Sequence, residues 1–256
     1  MSHTEESAAP RGWALVTGST SGIGRETALL LARDGYSVIV SGRDEARAGE
    51  VVDRITTDGG TALALTADLS DTAAVRTLAT DALEVAGGVI DVLVNNAGGG
   101  TFAATEDTTD DMFDVAFKVH VKGPFILTAA LAPLMAQRGG GAIVNVGSIS
   151  ADLAASGVAI FQASKAALDM LTKSWTAEYG PRGVRVNTVN PGFVITPANE
   201  AFRDGYGPFV ETVPARRGAE PEEVAEVIRF LISPAASYIQ GAAIAVDGGR
   251  TAVLPM

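Results

Sequence analysis

The sequence predicts an α/β protein in one domain, with a doubly wound parallel sheet of about seven strands and helices on both faces. Three observations predict this fold. Short runs rich in β-branched residues alternate with longer helical patterns along the chain, as expected for strands joined by helices. The strand candidates are apolar almost throughout, which is typical of parallel strands covered on both faces. No linker-like segment divides the 256 residues, a length that one α/β domain often has.

The expected elements follow one another in a regular order. The strands read WALVT, SVIVS, ALALTA, DVLVNN, AIVNVGS, VRVNTVNP and AAIAVD. The helices read GRETALLLARDG, DEARAGEVVDRITTDG, DTAAVRTLATDALEVAG, a long stretch from Thr108 to Arg138, and SKAALDMLTKSWTAEYG. Right-handed crossovers between parallel strands then place helices on both faces of the sheet.

Two helices are apolar on more than one face. Pattern alone leaves two interpretations open, which are deep burial inside one subunit and a helix-to-helix interface between subunits. The apolar residues are Phe113, Phe117, Phe125, Leu127, Leu131 and Leu134 in the long stretch, and Ala167, Met170, Leu171 and Trp175 in the later helix.

One segment breaks the alternation. Residues 196–218, TPANEAFRDGYGPFVETVPARRG, are mixed in character and contain glycine. Long connections in compact domains are usually functional or disordered, so we expect a substrate lid here. Residues 1–11 are acidic and polar and are expected to form a flexible tail, which leaves residues 12–256 as the folded domain.

The composition argues against several classes of function. The net charge of −11 disfavours binding to nucleic acid or to an anionic membrane, because both require a basic face. No cysteine is present, which removes thiolate chemistry and fits a cytoplasmic protein. The most apolar segment, FILTAALAPLMA, is too short to span a bilayer. The first residues do not resemble a signal peptide, and no pattern indicates a metal site.

A glycine-rich turn lies between the first strand and the first helix, in LVTGSTSGIGRETALLLA. Gly18, Gly22 and Gly24 let the backbone approach a pyrophosphate and let the helix pack close to the strand. The helix N-terminus presents free N–H groups to the phosphates. A glycine pattern by itself is weak, but its position between a strand and a helix predicts dinucleotide binding.

The end of the second strand indicates which dinucleotide is bound. An acidic residue here takes the ribose hydroxyls of NAD, whereas an arginine accommodates the 2′-phosphate of NADP. Gly42 and Arg43 occupy this position, and Asp44 fits better as the N-cap of the next helix. The sequence therefore favours NADP(H).

Several motifs in a fixed order resemble the short-chain dehydrogenase/reductase family, in particular its 3-oxoacyl carrier-protein reductase-like members. They are TGSTSGIG, ADLS, NNAG, VNVGS, NPGFVITP and VDGG, and they extend from about Trp13 to Gly249. The resemblance implies a single Rossmann-type domain that binds a nicotinamide cofactor. It also implies a homotetramer or homodimer built on the two apolar helices.

The resemblance further implies which residues contact the cofactor. They are Gly18, Ser19, Thr20, Ser21, Gly22, Ile23 and Gly24 in the glycine turn, Ser41, Gly42 and Arg43 after the second strand, Asp68 and Leu69 in ADLS, Asn95, Ala97 and Gly98 in NNAG, Lys165, and Pro191, Gly192, Ile195 and Thr196 in NPGFVITP.

The catalytic residues of the family are an Asn, a Ser, a Tyr and a Lys, and this sequence matches two of the four. Ser148 and Lys165 are present. Phe161 stands thirteen residues after Ser148 and four before Lys165, where the family has tyrosine, and His120 stands where it has asparagine. In the family the tyrosine phenol protonates the substrate oxygen, so Phe161 keeps the ring and loses the proton. General acid catalysis is typically worth about 10²–10⁴-fold.

Other groups are candidates for the missing acid. His120 either replaces asparagine without effect, since the family uses mainly a backbone carbonyl there, or acts as the acid itself. Tyr206 in the lid is a second candidate donor, and Asp152 is expected either in the substrate pocket or on a loop surface. Tyr36, Tyr179 and Tyr238 are expected to be structural.

Three functions are compatible with these residues. The first is an NADP(H)-dependent reductase acting on a ketone or alcohol, with Phe161 engineered to trap a complex or working with another donor. The second is a non-catalytic cofactor-binding subunit that supports an active homologue. The third is non-redox chemistry in the same pocket, such as dehydration, cyclisation or isomerisation. Substrate identity does not follow from the sequence; a bulky, polyketide-like or acyl-carrier ketone is an analogy only.

Overall fold

A computed structural model describes residues 11–100, 102–197, 199 and 207–254. Seven parallel strands form one sheet in the order β3-β2-β1-β4-β5-β6-β7. This confirms the predicted fold class. The strands are β1 Trp13–Thr17, β2 Ser37–Ser41, β3 Thr61–Ala64, β4 Val92–Asn95, β5 Gly141–Val146, β6 Val184–Pro191 and β7 Ala243–Val246.

Helices cover both faces of this sheet. Two carboxylates cap helices. Asp44, the expected N-cap, accepts from the N–H of Arg47, and Asp71, which was not predicted as a cap, accepts from the N–H of Ala73. The helices are α1 Gly22–Arg33, α2 Glu45–Thr57, α3 Thr72–Val85, α4 Asp110–Phe117, α5 Gly123–Gln137, α6 Ala159–Tyr179, α7 Gly207–Glu211 and α8 Pro221–Ile232.

The apolar core lies in two layers, one on each side of the sheet. Alternate residues of a strand point to opposite faces. Ala14 and Val16 of β1 therefore pack with α1, α2 and α8, whereas Leu15 packs with α3, α5 and α6. Leu15 is completely buried, and burying a leucine contributes roughly 1.5–3 kcal/mol. This two-sided packing is why the strands read as continuous apolar runs.

The order of the strands creates the crevice in which the predicted site lies. The chain runs from β1 outward to β3 and then crosses back to β4 on the other side of β1. In open α/β sheets a ligand binds at such a switch point, beyond the carboxyl ends of the strands. The glycine turn, the NNAG segment, Ser148 and the NPGFVITP segment all follow carboxyl ends of strands in this sheet.

The long helical stretch is interrupted at His120. It consists of α4, a π-helical turn at Lys118–Lys122, and α5. Single π turns inside α-helices occur frequently at functional sites. The combined run Asp110–Gln137 is long and apolar enough to cross a membrane by length and composition, with a mean hydropathy of 1.4, but half of the apolar window is buried in the fold. The segment FILTAALAPLMA, which alone is too short to span a bilayer, is therefore only part of a longer helical run.

The lid is described only in part. Thr196, Pro197, Asn199 and residues 207–218 are described, and the last group begins with the short helix α7. Tyr206 and residues 1–10 of the expected tail 1–11 lie outside the described residues, and the backbone N–H of Arg11 donates to the carbonyl of Gly35 at 2.9 Å. Tyr36 and Tyr179 are buried or half-buried, as expected of structural residues, whereas the side chain of Tyr238 is fully exposed, so that expectation is wrong for Tyr238.

Candidate active site

The glycine turn after β1 is a tight cradle. Gly18 has φ +63°, in the left-handed region that favours glycine, and a Cβ there would lie 2.7 Å from the Cα of Ala97. A Cβ on Gly24 would collide with the carbonyl oxygen of Gly18 and the side-chain amide of Asn96. The turn and α1 can therefore pack this closely only with glycine at both positions.

Hydrogen bonds join the glycine turn to the segment that follows β4. The Asn96 side-chain amide donates to the carbonyl oxygens of Thr17 at 2.8 Å and Gly18 at 3.0 Å. The hydroxyl of Thr17 accepts from the backbone N–H groups of Asn96 and Ala97 at 3.0 and 3.1 Å. These bonds close the crevice between β1 and β4, and Asn96 was not among the residues that the sequence singled out.

Two predicted cofactor residues direct their side chains into the protein. The hydroxyl of Ser19 donates to Val16 and accepts from the N–H of Ser41. The amide of Asn95 donates to Asn145 at 2.9 Å inside the sheet. Both side chains are buried, so a contact with the cofactor at these residues would involve the backbone.

The far end of the crevice carries a basic and an acidic side chain. Arg43 is exposed directly after β2. The carboxylate of Asp68 accepts from the N–H and the hydroxyl of Ser70, and these two bonds, together with the more distant charge of Arg43, keep its pKa below the ordinary value. The two charges are thus held next to the glycine turn, where Thr20 contacts Gly42.

The NPGFVITP segment approaches the glycine turn from the other side. A Cβ on Gly22 would lie 3.1 Å from the methyl of Thr196, so the two segments meet across the crevice. Asn199 holds this segment, because its side chain accepts from the N–H of Thr196 and donates to Val194. The pyrophosphate of a dinucleotide requires a glycine loop and a helix N-terminus, and a 2′-phosphate requires an arginine beside them. The residues present therefore fit NADP(H).

Ser148 and Lys165 meet at the carboxyl end of β5. The hydroxyl of Ser148 accepts from the N–H of Ser150 at 3.1 Å. The ammonium of Lys165, from the second turn of α6, donates to the carbonyl of Val146 at 2.8 Å. Burial lowers the pKa of Lys165 to about 8, against an opposing effect of Asp169. Lys165 is therefore a buried cation that releases its proton more easily than an ordinary lysine.

The ring of Phe161 is the centre of an aromatic cluster. It contacts Phe102 edge-on, with ring centroids 6.0 Å apart, and His120 edge-on at 5.6 Å. The ammonium of Lys165 lies 5.7 Å from its centroid, close enough for a cation–π interaction. Phe161 thus occupies the space above the lysine but has no proton to donate.

His120 is buried and both of its ring nitrogens have partners. Nε2 accepts from the N–H of Gly99 at 3.3 Å, and Nδ1 lies 2.8 Å from the hydroxyl of Ser164. Ser164 donates its single proton to the carbonyl of Phe161, so Nδ1 must carry the hydrogen that bonds to Ser164. Burial, and secondarily the charge of Lys165, lowers the pKa of His120 to about 3.

This arrangement argues against His120 as the replacement acid. A neutral imidazole that points its only N–H at Ser164 has no proton to give to a substrate near neutral pH. The other interpretation, in which His120 replaces asparagine without effect because the backbone carbonyl is what matters, stays a prediction. The imidazole itself accepts the Gly99 N–H and so holds the segment after β4 in place.

Comparison with known proteins decides the family. A family model described as enoyl-(acyl carrier protein) reductase matches residues 18–251. A solved structure of a short chain dehydrogenase/reductase family protein is 42% identical, with a TM-score of 0.87 and coverage of 95% of this chain and 99% of that chain. The chain belongs to the short-chain dehydrogenase/reductase family.

Two further members of the short-chain dehydrogenase/reductase family are similar over nearly their whole length. Cyclopentanol dehydrogenase of Comamonas sp. (strain NCIMB 9872) is 35% identical over 249 residues, which is 93% of this chain and 96% of that protein. Gluconate 5-dehydrogenase from Burkholderia cenocepacia J2315, solved in complex with NADP and tartrate, is 32% identical with a TM-score of 0.89 and covers 96% of this chain and 97% of that chain.

One feature of this short-chain dehydrogenase/reductase site was not predicted from the sequence. Asp169 lies one turn after Lys165 on α6 and accepts from the Asn190 side chain at 2.8 Å. Burial raises the pKa of Asp169. The other amide atom of Asn190 presses against Gly147, the residue before Ser148. This pair therefore supports the backbone that presents Ser148. Asn190 belongs to the NPGFVITP motif, but nothing in the sequence indicated that its side chain pairs with Asp169.

The remaining predicted residues are placed as follows. Asp152 is exposed after Ser148, and its charge raises the pKa of the Asp169 carboxyl. Leu69 is buried against Gly123 rather than open to the crevice. Gly192 packs directly on Asp247 and Ile195 on Gly218. No group of three or more His, Cys, Asp or Glu residues that could hold a metal ion occurs among the described residues.

Proposed function

We propose that this protein is an NADP(H)-dependent oxidoreductase that interconverts a secondary alcohol and a ketone. The observation that carries the proposal is one crevice in which the glycine turn, Arg43, Ser148, Lys165 and Thr196 meet. The names of the two relatives given above, a cyclopentanol and a gluconate dehydrogenase, support chemistry on a CH–OH group. When bound, the nicotinamide supplies or accepts the hydride.

The residues of the chain bind the cofactor and the substrate oxygen. The N–H groups at the start of α1 face the phosphates, and Arg43 faces a 2′-phosphate. Lys165 binds the ribose hydroxyls, and the hydroxyl of Ser148 donates to the substrate oxygen. Lys165 also has the most readily released proton among the described groups named for this site, because its pKa is about 8.

Phe161 makes proton delivery the slow step. Neither its ring nor the neutral His120 supplies a proton, so among the described residues the oxygen of a reduced ketone is protonated by Lys165 or by water that Lys165 orients. Tyr206, outside the described residues, stays a candidate donor. We therefore expect weak turnover. The same observation favours a second candidate function, a subunit that binds NADP(H) without turnover and supports an active homologue.

Side-by-side assays of the chain and of Phe161→Tyr test the proposal. A phenol above Lys165 restores a general acid, so NADPH oxidation with a ketone panel is expected to rise by about 10²–10⁴-fold. Phe230→Tyr, on the surface of α8, is the matched control and should change nothing. Tight NADPH binding with no turnover in either the chain or Phe161→Tyr would contradict the oxidoreductase and favour the cofactor-binding subunit.

The preference for NADP(H) has its own test. Arg43→Ala should weaken NADPH binding by about 10- to 100-fold, the effect of one charged hydrogen bond, and leave NADH binding unchanged. Arg47→Ala, four residues further along and paired with Asp44, is the control. Equal losses for NADPH and NADH would show that Arg43 does not contact a 2′-phosphate.

We further propose that the protein forms a homo-oligomer through α4, α5 and α6. Large apolar side chains are exposed on these three helices, namely Phe113, Val115, Phe125 and Met170. Phe113 stacks on Phe117 with centroids 4.7 Å apart, and Phe125 lies against Trp175 at 6.2 Å. Exposed apolar side chains on these helices support the interface interpretation.

A further inference from the structure

We infer that the substrate pocket takes an uncharged ketone or secondary alcohol whose apolar, ring-sized body lies against Phe102 and Phe161. The inference rests on the proposed function, since it names the substrate class of that site. It excludes substrates that carry a carboxylate and substrates that are tethered through a phosphate to a carrier.

The first step is the aromatic wall. Phe102 is 58% exposed, although its ring packs edge-on against Phe161 and folds back over Gly100, where a Cβ would collide with it. A large apolar ring that remains exposed beside a reactive site, yet is held by contacts on two sides, is a preformed surface for an apolar ligand.

The second step is the segment that follows β5. The side-chain amide of Gln162 donates to the carbonyl of Leu153 at 2.7 Å, so this segment is tied to α6 one residue beyond Phe161. Leu153 is 38% exposed, and Ala154 and Ala155 beside it are also exposed. The side chains that this segment offers to a ligand are therefore largely apolar.

The third step is charge. Within the described parts of residues 98–117 and 148–164, lysine and arginine do not occur. The charged side chains there are all acidic, namely Glu106, Asp107, Asp110, Asp111, Asp114 and Asp152. A carboxylate or a phosphate that enters a pocket must be matched by a cation or by several N–H donors. The ammonium of Lys165 lies beside the Phe161 ring, but it is buried and donates to the carbonyl of Val146. The described residues of the two ranges add no guanidinium or ammonium, whereas a neutral ring loses little on leaving water.

Specificity in such a pocket arises from contact area. Removing a ring's worth of apolar contact changes kcat/KM by more than one methylene does, and one methylene accounts for about 10-fold or more. Truncation of Phe102 should therefore lower kcat/KM for a ring-bearing ketone by about 10- to 100-fold. It should leave kcat/KM for a small acyclic ketone such as acetone nearly unchanged.

The experiment compares probes of defined chemistry on the full chain in the presence of NADPH. Cyclohexanone represents the neutral ring, 5-keto-gluconate the carboxylate, and acetoacetyl coenzyme A the phosphate-bearing thioester. Binding is measured by saturation-transfer NMR and turnover by NADPH oxidation. We expect cyclohexanone to bind at least 10-fold more tightly than either anion. Phe102→Ala should abolish this difference in affinity. Phe230→Ala, at another exposed phenylalanine, should preserve it.

A charge-introducing variant gives an independent arm. Phe102→Lys should lose cyclohexanone binding and gain 5-keto-gluconate binding, and Leu153→Ala serves if Phe102 variants fail to fold. Tighter binding of either anion than of cyclohexanone by the unaltered chain, or no binding of any probe to the NADPH complex, would overturn the inference. If cyclohexanone binds but is not turned over, the result contradicts the proposed oxidoreductase and supports the inferred ligand class. Failure of the proposed function and failure of this inference are therefore distinguishable.

Discussion

At the residue scale, His120 is held by hydrogen bonds at both of its ring nitrogens. The imidazole accepts the Gly99 N–H with one nitrogen and donates to Ser164 with the other. The side chain of His120 therefore holds the segment after β4 to α6.

His120 should make the folded protein sensitive to acid. Its pKa is about 3 in the folded protein and 6.5 when unfolded, so the stability it contributes is present above pH 6.5 and is lost as pH falls towards 3. Between pH 7 and pH 4.5 the loss is about 3 kcal/mol. Urea unfolding of the chain and of His120→Asn at both pH values measures it. An equal pH dependence in both proteins would contradict the expected neutral imidazole.

Gly24 is the most demanding position of the glycine turn. Gly24→Ala places a methyl against the Gly18 carbonyl and the Asn96 amide, so the turn must move away from α1. We expect NADPH binding to weaken by at least 10-fold and stability to fall by about 1–3 kcal/mol, as for other overpacked sites. Titration calorimetry and urea unfolding measure the two losses. Unchanged affinity would mean that the turn does not hold the cofactor.

At the element scale, the sequence predicted the seven strands and the helices α1 to α6 in their order, because period-two and period-3.6 apolar patterns are local properties. Helix α8, Pro221–Ile232, was not among the predicted helices. The contents of the crevice were predicted only in part. Gly18 and Ser148 are marked by short motifs, but the Asp169–Asn190 pair joins residues 21 positions apart and depends on how α6 lies on β6. The π turn at His120 also has no local signal, since its residues suit an ordinary helix.

Gly49 differs from Gly24 in having free space where an added Cβ would lie. It lies inside α2 and has nothing within 4 Å of the position of an added Cβ. Gly49→Ala should therefore stabilise the protein by about 0.5–1 kcal/mol through helix propensity alone. Urea unfolding checks the value, and NADPH affinity should stay the same. A destabilised Gly49→Ala would show that α2 is constrained by contacts outside the subunit.

At the scale of the whole molecule, aromatic residues on α4 and α5 and Met170 on α6 are exposed, and the proposed oligomer would cover them. The sequence left burial and interface equally open, and these exposed side chains favour the interface. A cluster of this kind on an isolated subunit would be prone to aggregation. Two-fold symmetry would let the same face cover itself, as in most homo-oligomers.

A charged variant tests the oligomer. Phe125→Glu combined with Met170→Glu should convert a dimer or tetramer into smaller species, because buried unpaired carboxylates are costly at an interface. Light scattering after size exclusion measures the mass. Tyr238→Glu, a fully exposed aromatic elsewhere, is the control. A monomer in the unaltered chain would refute the proposed assembly.

The crevice is held together by contacts between distant parts of the chain. Asn96 and Thr17 are 79 positions apart, and Lys165 and Val146 are 19 apart. Contacts of long sequence separation form only after loop-closure entropy has been overcome, so the crevice exists only in the completed sheet. A ligand that binds in the crevice raises the free energy of unfolding by mass action, by about 2.7 kcal/mol at a ligand concentration of one hundred times its Kd. A bound nicotinamide cofactor would therefore stabilise this folded chain whether or not the chain turns over.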